Sequence, residues 1–140
     1  MRCYEMFEHT ADIGFIARGA TLDEAFSCAA VALWDVITGE MECADSDHIV
    51  FEIESVDREG LLVGFLSQLL FLFETERFVG QRAKVQLVGD TGLRAEVMGE
   101  RLTESTNIEG YHVKGVSYHM MEIAEATDDN QAHVKVVLDV

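Results

Sequence analysis

Phe7-Glu8-His9-Thr10-Ala11-Asp12-Ile13-Gly14 is the stretch on which the reading of this chain turns. Cys3 to Phe7 before it and Ile13 to Arg18 after it both carry the alternating apolar pattern of strands. Between them stand two acids, a histidine and a threonine, and a glycine closes the stretch. This is not the Asn-Gly or Asp-Gly chemistry of a plain two-residue hairpin turn. A polar cluster held between two buried segments is expected to do more than connect them.

Outward from that stretch, Gly19 ends the second strand and Thr21-Leu22-Asp23-Glu24 is a capping box. There the threonine hydroxyl takes a free helix amide and the glutamate reaches back to another. The helix runs to about Thr38. Leu22, Ala25, Phe26, Ala29, Leu33, Val36 and Ile37 form its apolar stripe, and Gly39 suits the residue just past its end. Glu40 to Asp47 is an acidic loop. Ile49, Phe51 and Ile53 alternate with Glu52 and Glu54 as in a half-exposed strand. Asp57 suits an N-cap. From Leu61 to Phe73 the helix is apolar almost all round, which predicts the central core helix. It is too short to span a membrane, which needs roughly 20 apolar residues. Ala83 to Val88 and Leu93 to Met98 flank Gly89-Asp90-Thr91-Gly92 as a hairpin, and Arg101 to Gly110 is a polar loop. Val113 to Ala124 is extended, Thr127 to Asn130 turns, and His133 to Val140 is a last strand. The expected fold is α+β: two main helices on one side of a mainly antiparallel sheet.

The chain has 140 residues, 49% of them apolar, with no proline and no Gly/Ser-rich run. One domain over residues 1–140 is expected. Its 26 acids and 10 bases give a net charge of −16. Such a surface repels phosphate backbones, so stable RNA binding by the chain alone is not expected, whereas cations and basic protein partners are favoured. Cys3, Cys28 and Cys43 are odd in number and lack C-x-x-C spacing. Reduced thiols in a cytoplasmic protein are the expectation, with neither a disulfide framework nor a zinc site. The opening residues lack the apolar core of a signal peptide. A monomer is compatible with all of this.

Asp139 stands on the opposite strand face from Val134, Val136 and Leu138, next to the Val140 α-carboxylate. If the last strand pairs near the first, Asp12, Asp139 and that carboxylate converge. Oxygen donors without thiolates favour calcium or magnesium, with manganese also suited. The alternative is two solvated acids in an acid-rich chain. His9 and His119 are either buried rings satisfied by backbone, or groups that orient a carboxylate or touch a partner. Glu8 has the second role open to it. Lys114 reads as a charge partner of Glu8 or Asp12.

Three ordered motifs carry a resemblance. Glu8 to Gly14, Val113-Lys114-Gly115-Val116-Ser117-Tyr118-His119, and the final Val137-Leu138-Asp139-Val140 together resemble the archease family, over nearly the whole chain. Archeases are small acidic proteins that assist the tRNA-splicing RNA ligase, which joins RNA ends bearing a 3′-phosphate. The resemblance implies a metal-binding activator that is not itself an enzyme and that promotes guanylylation and repeated turnover of that ligase. It also implies that Asp12, Asp139 and the terminal carboxylate of Val140 hold the metal. The chain departs from the family pattern at Gln68, where an acid is common, and at Gly115 and Ser117, where Ala and Thr are common.

No P-loop, nucleophile elbow or H-E-x-x-H is present. Ser117 before Tyr118-His119 does not make a triad. The rival class is a metal-dependent hydrolase or phosphotransferase using Asp12, Asp139 and His9.

Overall fold

A computed structural model describes residues 2–9 and 12–140, with His9 described by its backbone alone. Its elements, in order, are β1 (Tyr4–His9), β2 (Asp12–Gly19), α1 (Leu22–Thr38), β3 (Asp47–Glu54), α2 (Arg58–Glu76), β4 (Phe78–Val88), β5 (Gly92–Arg101), β6 (Gly115–Ala124) and β7 (Ala132–Asp139). The α+β class and the antiparallel pairing are as expected. The arrangement differs in one respect, because the strands form two sheets rather than one. β1-β2-β7-β6 is one sheet and β3-β5-β4 the other, and each helix touches both.

Helix starts follow the capping chemistry. Thr21 Oγ1 accepts from the Glu24 amide at 3.2 Å, and Glu24 Oε2 accepts from the Ala20 amide at 2.7 Å. The return bond thus lands one residue before the cap itself. Asp57 Oδ1 accepts from the Gly60 amide at 2.7 Å and opens α2. Gly39, at φ 73°, ends α1 in the left-handed conformation that glycine adopts without strain.

The central helix is α1, not α2. Ala25, Ala29, Ala30 and Ala32 are fully buried beside Phe26, Leu33 and Trp34, whereas Phe71 of α2 is 55% exposed. Four small side chains let strands approach α1 from two sides, so its burial exceeds what its stripe of large residues suggests. Trp34 lies against Gly80, where a Cβ would come within 2.3 Å of the indole. β4 begins at Phe78, earlier than the alternation from Ala83 indicated, because Phe78, Val79 and Gly80 pair with Arg101, Glu100 and Gly99 of β5. Gly80 interrupts the pattern, yet no other residue fits under the ring. The polar loop after β5 is tied down at two helix ends: the Leu102 amide donates to Arg77 O and the Tyr111 amide to Val36 O.

The cysteine expectation is corrected. Cys3 and Cys28 form a disulfide across a Cα–Cα distance of 6.0 Å, and Cys43 alone is free. The Arg18 amide donates to Cys3 O, fixing the segment ahead of β1 beside β2, and Cys28 on α1 comes to meet it. Spacing holds no trace of this, because the pair is made by tertiary packing between a strand and a helix.

Thr21→Ala should lower stability by about 1 kcal/mol through loss of the cap, read as a shift in the urea midpoint. Closing a loop of 25 residues by sequence separation is worth roughly 3.5 kcal/mol in the chain-entropy account. Reductant should therefore lower the thermal midpoint of the protein and leave Cys3→Ser unchanged. Equal melts with and without reductant would show that the bridge contributes nothing.

Candidate functional site

The acids of the opening stretch and of the chain end meet through strand register. β2 and β7 pair antiparallel, with Gly14 opposite Val137 and Ile13 opposite Leu138. One step further sets Asp12 opposite Asp139. β7 lies between β2 and β6, and on its other side Gly115 pairs with Asp139, whose carbonyl accepts from the Lys114 amide at 2.7 Å. Two of the three sequence motifs thereby flank the third.

Side-chain alternation puts the two carboxylates on one face. Ile13, Phe15, Val136 and Leu138 are buried toward the helices, so Asp12 and Asp139 belong to the outer face. Asp12 is half-buried and Asp139 exposed. The Phe7 ring lies flat on Gly14, where a Cβ would stand 2.2 Å away, and Lys135 Nζ sits 5.3 Å from the centre of that ring. The outer face thus has a small apolar floor of Phe7, Gly14 and Val137, with the acids at one end. At Gly115 a Cβ would meet Asp139 Oδ2 at 3.9 Å, an ordinary contact. The glycine is therefore not required by space.

Like charges directly opposite one another on a strand pair are unfavourable. Among the described residues, neither Asp12, Asp139 nor Lys114 takes part in an ion pair. The expected partnership of Lys114 with Glu8 or Asp12 is therefore not made, and the exposed Lys114 serves through its backbone. No three Asp, Glu, His or Cys side chains among the described residues are grouped to hold a metal by themselves. What the geometry offers is a pair of oxygen donors, with Val140 next in the chain and partly buried against the core. This donor chemistry suits a hard cation.

The remaining residues separate. Glu8 is exposed and pairs with Ile13, so it alternates to the other face from Asp12. His9 occupies the register position opposite Asp12, while the expectation for its side chain falls outside the described residues. His119 is exposed rather than buried, and its amide donates to Ser117 Oγ at 2.9 Å. Gln68 is half-buried on α2, the helix that packs on β6.

One feature of the site has no sequence signal. Ser117 pairs with Val137 and Glu122 with Lys135, so the four residues between them bulge opposite Val136 alone. Met120 takes φ 57° there, and Tyr118 and Met120 are 58% and 40% exposed. Left-handed backbone costs a non-glycine residue about 1–2 kcal/mol. Such strain gathers at functional sites. A run of Tyr-His-Met-Met without glycine reads as ordinary strand, so nothing announced the bulge.

A model of the archease protein family matches residues 4–140. The archease of Pyrococcus furiosus is 38% identical over 131 residues, covering 91% of this chain and 92% of that protein. The archease of Methanothermobacter thermautotrophicus is 37% identical over 142 residues and covers 99% of both chains. The solution structure of Methanobacterium thermoautotrophicum protein 1598 superposes with a TM-score of 0.75, at 34% identity and over the full length of both chains. A match over nearly the whole sequence, with the fold to go with it, means that this chain belongs to the archease family.

Proposed function

We propose that this protein is a non-enzymatic, cation-carrying activator of the tRNA-splicing RNA ligase. The observation that carries the reading is the register of β2 against β7, which sets Asp12 opposite Asp139 at the end of the chain. Family membership supports it. Asp12, Asp139 and the Val140 carboxylate would hold calcium, magnesium or manganese. The bound ion would supply a positive centre able to engage phosphate oxygens at the mouth of the ligase site. His9, Lys114 and His119, with the exposed Tyr118 and Met120 of the bulge, would face the ligase around it, whereas Glu8 stands on the other face of the sheet.

The charge distribution fits a protein partner better than RNA. Arg2, Arg18, Arg58, Arg82, Arg101 and Lys135, six of the ten bases, are already paired with acids. Little cationic surface remains for phosphates, while the acidic field draws a basic, RNA-binding partner. A cytoplasmic site of action follows from this reading. Reductants there keep dithiols open, so melts in reductant are the relevant ones.

Calorimetry should detect one of these three ions, and at 100 times its dissociation constant the ion should stabilise the fold by about 2.7 kcal/mol. Asp139→Ala should abolish both ion binding and multiple-turnover ligation by the cognate ligase. Its own melt in chelator should move by less than roughly 0.5 kcal/mol, since the residue is exposed. Full activation by Asp139→Ala would remove the cation-carrying mechanism. Turnover of phosphoesters by the isolated protein would instead favour a hydrolase using Asp12, Asp139 and His9. In gel shift the protein alone should show no sub-micromolar, salt-sensitive affinity for tRNA.

A further inference from the structure

A second site lies at the other end of β1 from the His9–Asp12 pairing. Tyr4 is buried there, and its hydroxyl donates to Asp35 Oδ2 at 2.6 Å in the last turns of α1. Burial, first of all, holds the Asp35 carboxyl above its ordinary value, and the Tyr4 hydroxyl is raised for the same reason and by this bond. After Gly39, Glu40 continues at φ 65°, a conformation that glutamate adopts only under strain. The two left-handed residues turn the chain so that the Glu40 carboxylate returns to the segment before β1. The loop after β5 closes the other side. Gly110 rests on the Val36 and Ile37 carbonyls, where a Cβ would stand 2.3 Å away. The result is a pocket of ≈ 200 Å³ with Met6, Glu109 and Tyr111 at its edge. The last turn of α1 carries no base of its own, and the negative end of its dipole also faces this region.

The chain itself shows what the pocket accepts. The Arg2 guanidinium lies 5.6 Å from the centre of the Tyr4 ring and pairs with Glu40. With side chains 55% and 51% exposed, that pair is weak, screened and readily exchanged.

We infer that this pocket is a receptor for an arginine side chain presented by a protein partner, and that Arg2 is an internal occupant which the partner's arginine replaces. A planar guanidinium stacks on tyrosine and pairs with a carboxylate at once, whereas a lysine ammonium is a point charge that cannot stack in this way. The net charge of −16 draws a basic partner. Tyr111 and Met6, 54% and 40% exposed, give that partner apolar surface to cover around the charge. The inference stands apart from the cation reading, since no residue of the Asp12–Asp139 pair lines this pocket.

The test is a magnetic-resonance titration of isotope-labelled protein with N-acetylarginine N-methylamide at millimolar levels. Arg2→Ala should bind it several-fold more tightly than the unaltered chain, with shifts gathered at Tyr4, Glu40, Gly110 and Tyr111. Adding Glu40→Gln should abolish that gain, and the lysine analogue should bind several-fold more weakly. The undisturbed remainder of each spectrum reports that the variants fold. Equal binding before and after Arg2→Ala overturns the inference. So do shifts scattered over the acidic surface and indifferent to Glu40→Gln, or equal binding of the lysine analogue.

Discussion

Everything at the candidate site depends on β7 being an inner strand. It pairs with β2 on one side and β6 on the other, and Val134, Val136, Val137 and Leu138 are all buried. A strand so placed cannot slip by one residue without turning its valines outward and its polar residues inward. That constraint fixes Asp139 between Asp12 and Gly115 as firmly as it fixes the core. The site therefore draws its placement from a buried inner strand of the sheet, although the carboxylate itself is exposed.

Much of this was legible in the sequence for physical reasons that can be named. Capping at Thr21 and Asp57, the stop at Gly39 and the alternation in Ile49 to Ile53 are local signals, and local chemistry wrote them. For Asp12 and Asp139 the sequence offers only a condition on strand pairing, and the pairing of β2 with β7 brings their two backbone positions side by side. What was illegible is tertiary. The division into two sheets, the central place of α1, the Cys3–Cys28 bridge and the bulge at Tyr118 to Met121 all depend on which surfaces meet. The alanines of α1 look neutral in a helical pattern, and only packing shows that they admit strands on two sides.

Two local rules are broken near the end of β7. The β2–β7 register, carried one step past Ile13 and Leu138, sets two carboxylates opposite one another, and Met120 sits in left-handed backbone three residues past the paired Ser117. Each costs stability that an ordinary residue would recover. Sequences that are consistent at every other level keep such conflicts chiefly where function requires them. Their coincidence within one corner of one sheet is a sharper pointer than either alone.

The two sheets differ in how their strands are distributed along the chain. β3, β4 and β5 with α2 come from one continuous stretch, whereas the other sheet joins β1 and β2 from one end of the sequence to β6 and β7 from the other. The hairpin of β4 and β5 closes a short loop and forms early, while the pairing of β2 with β7 must close more than a hundred residues. Folding should therefore proceed from the middle of the chain outward, with the helices as the surface on which the ends assemble. On that order the acid pair comes into being last, so a chain arrested part-way is an unfinished body without a site.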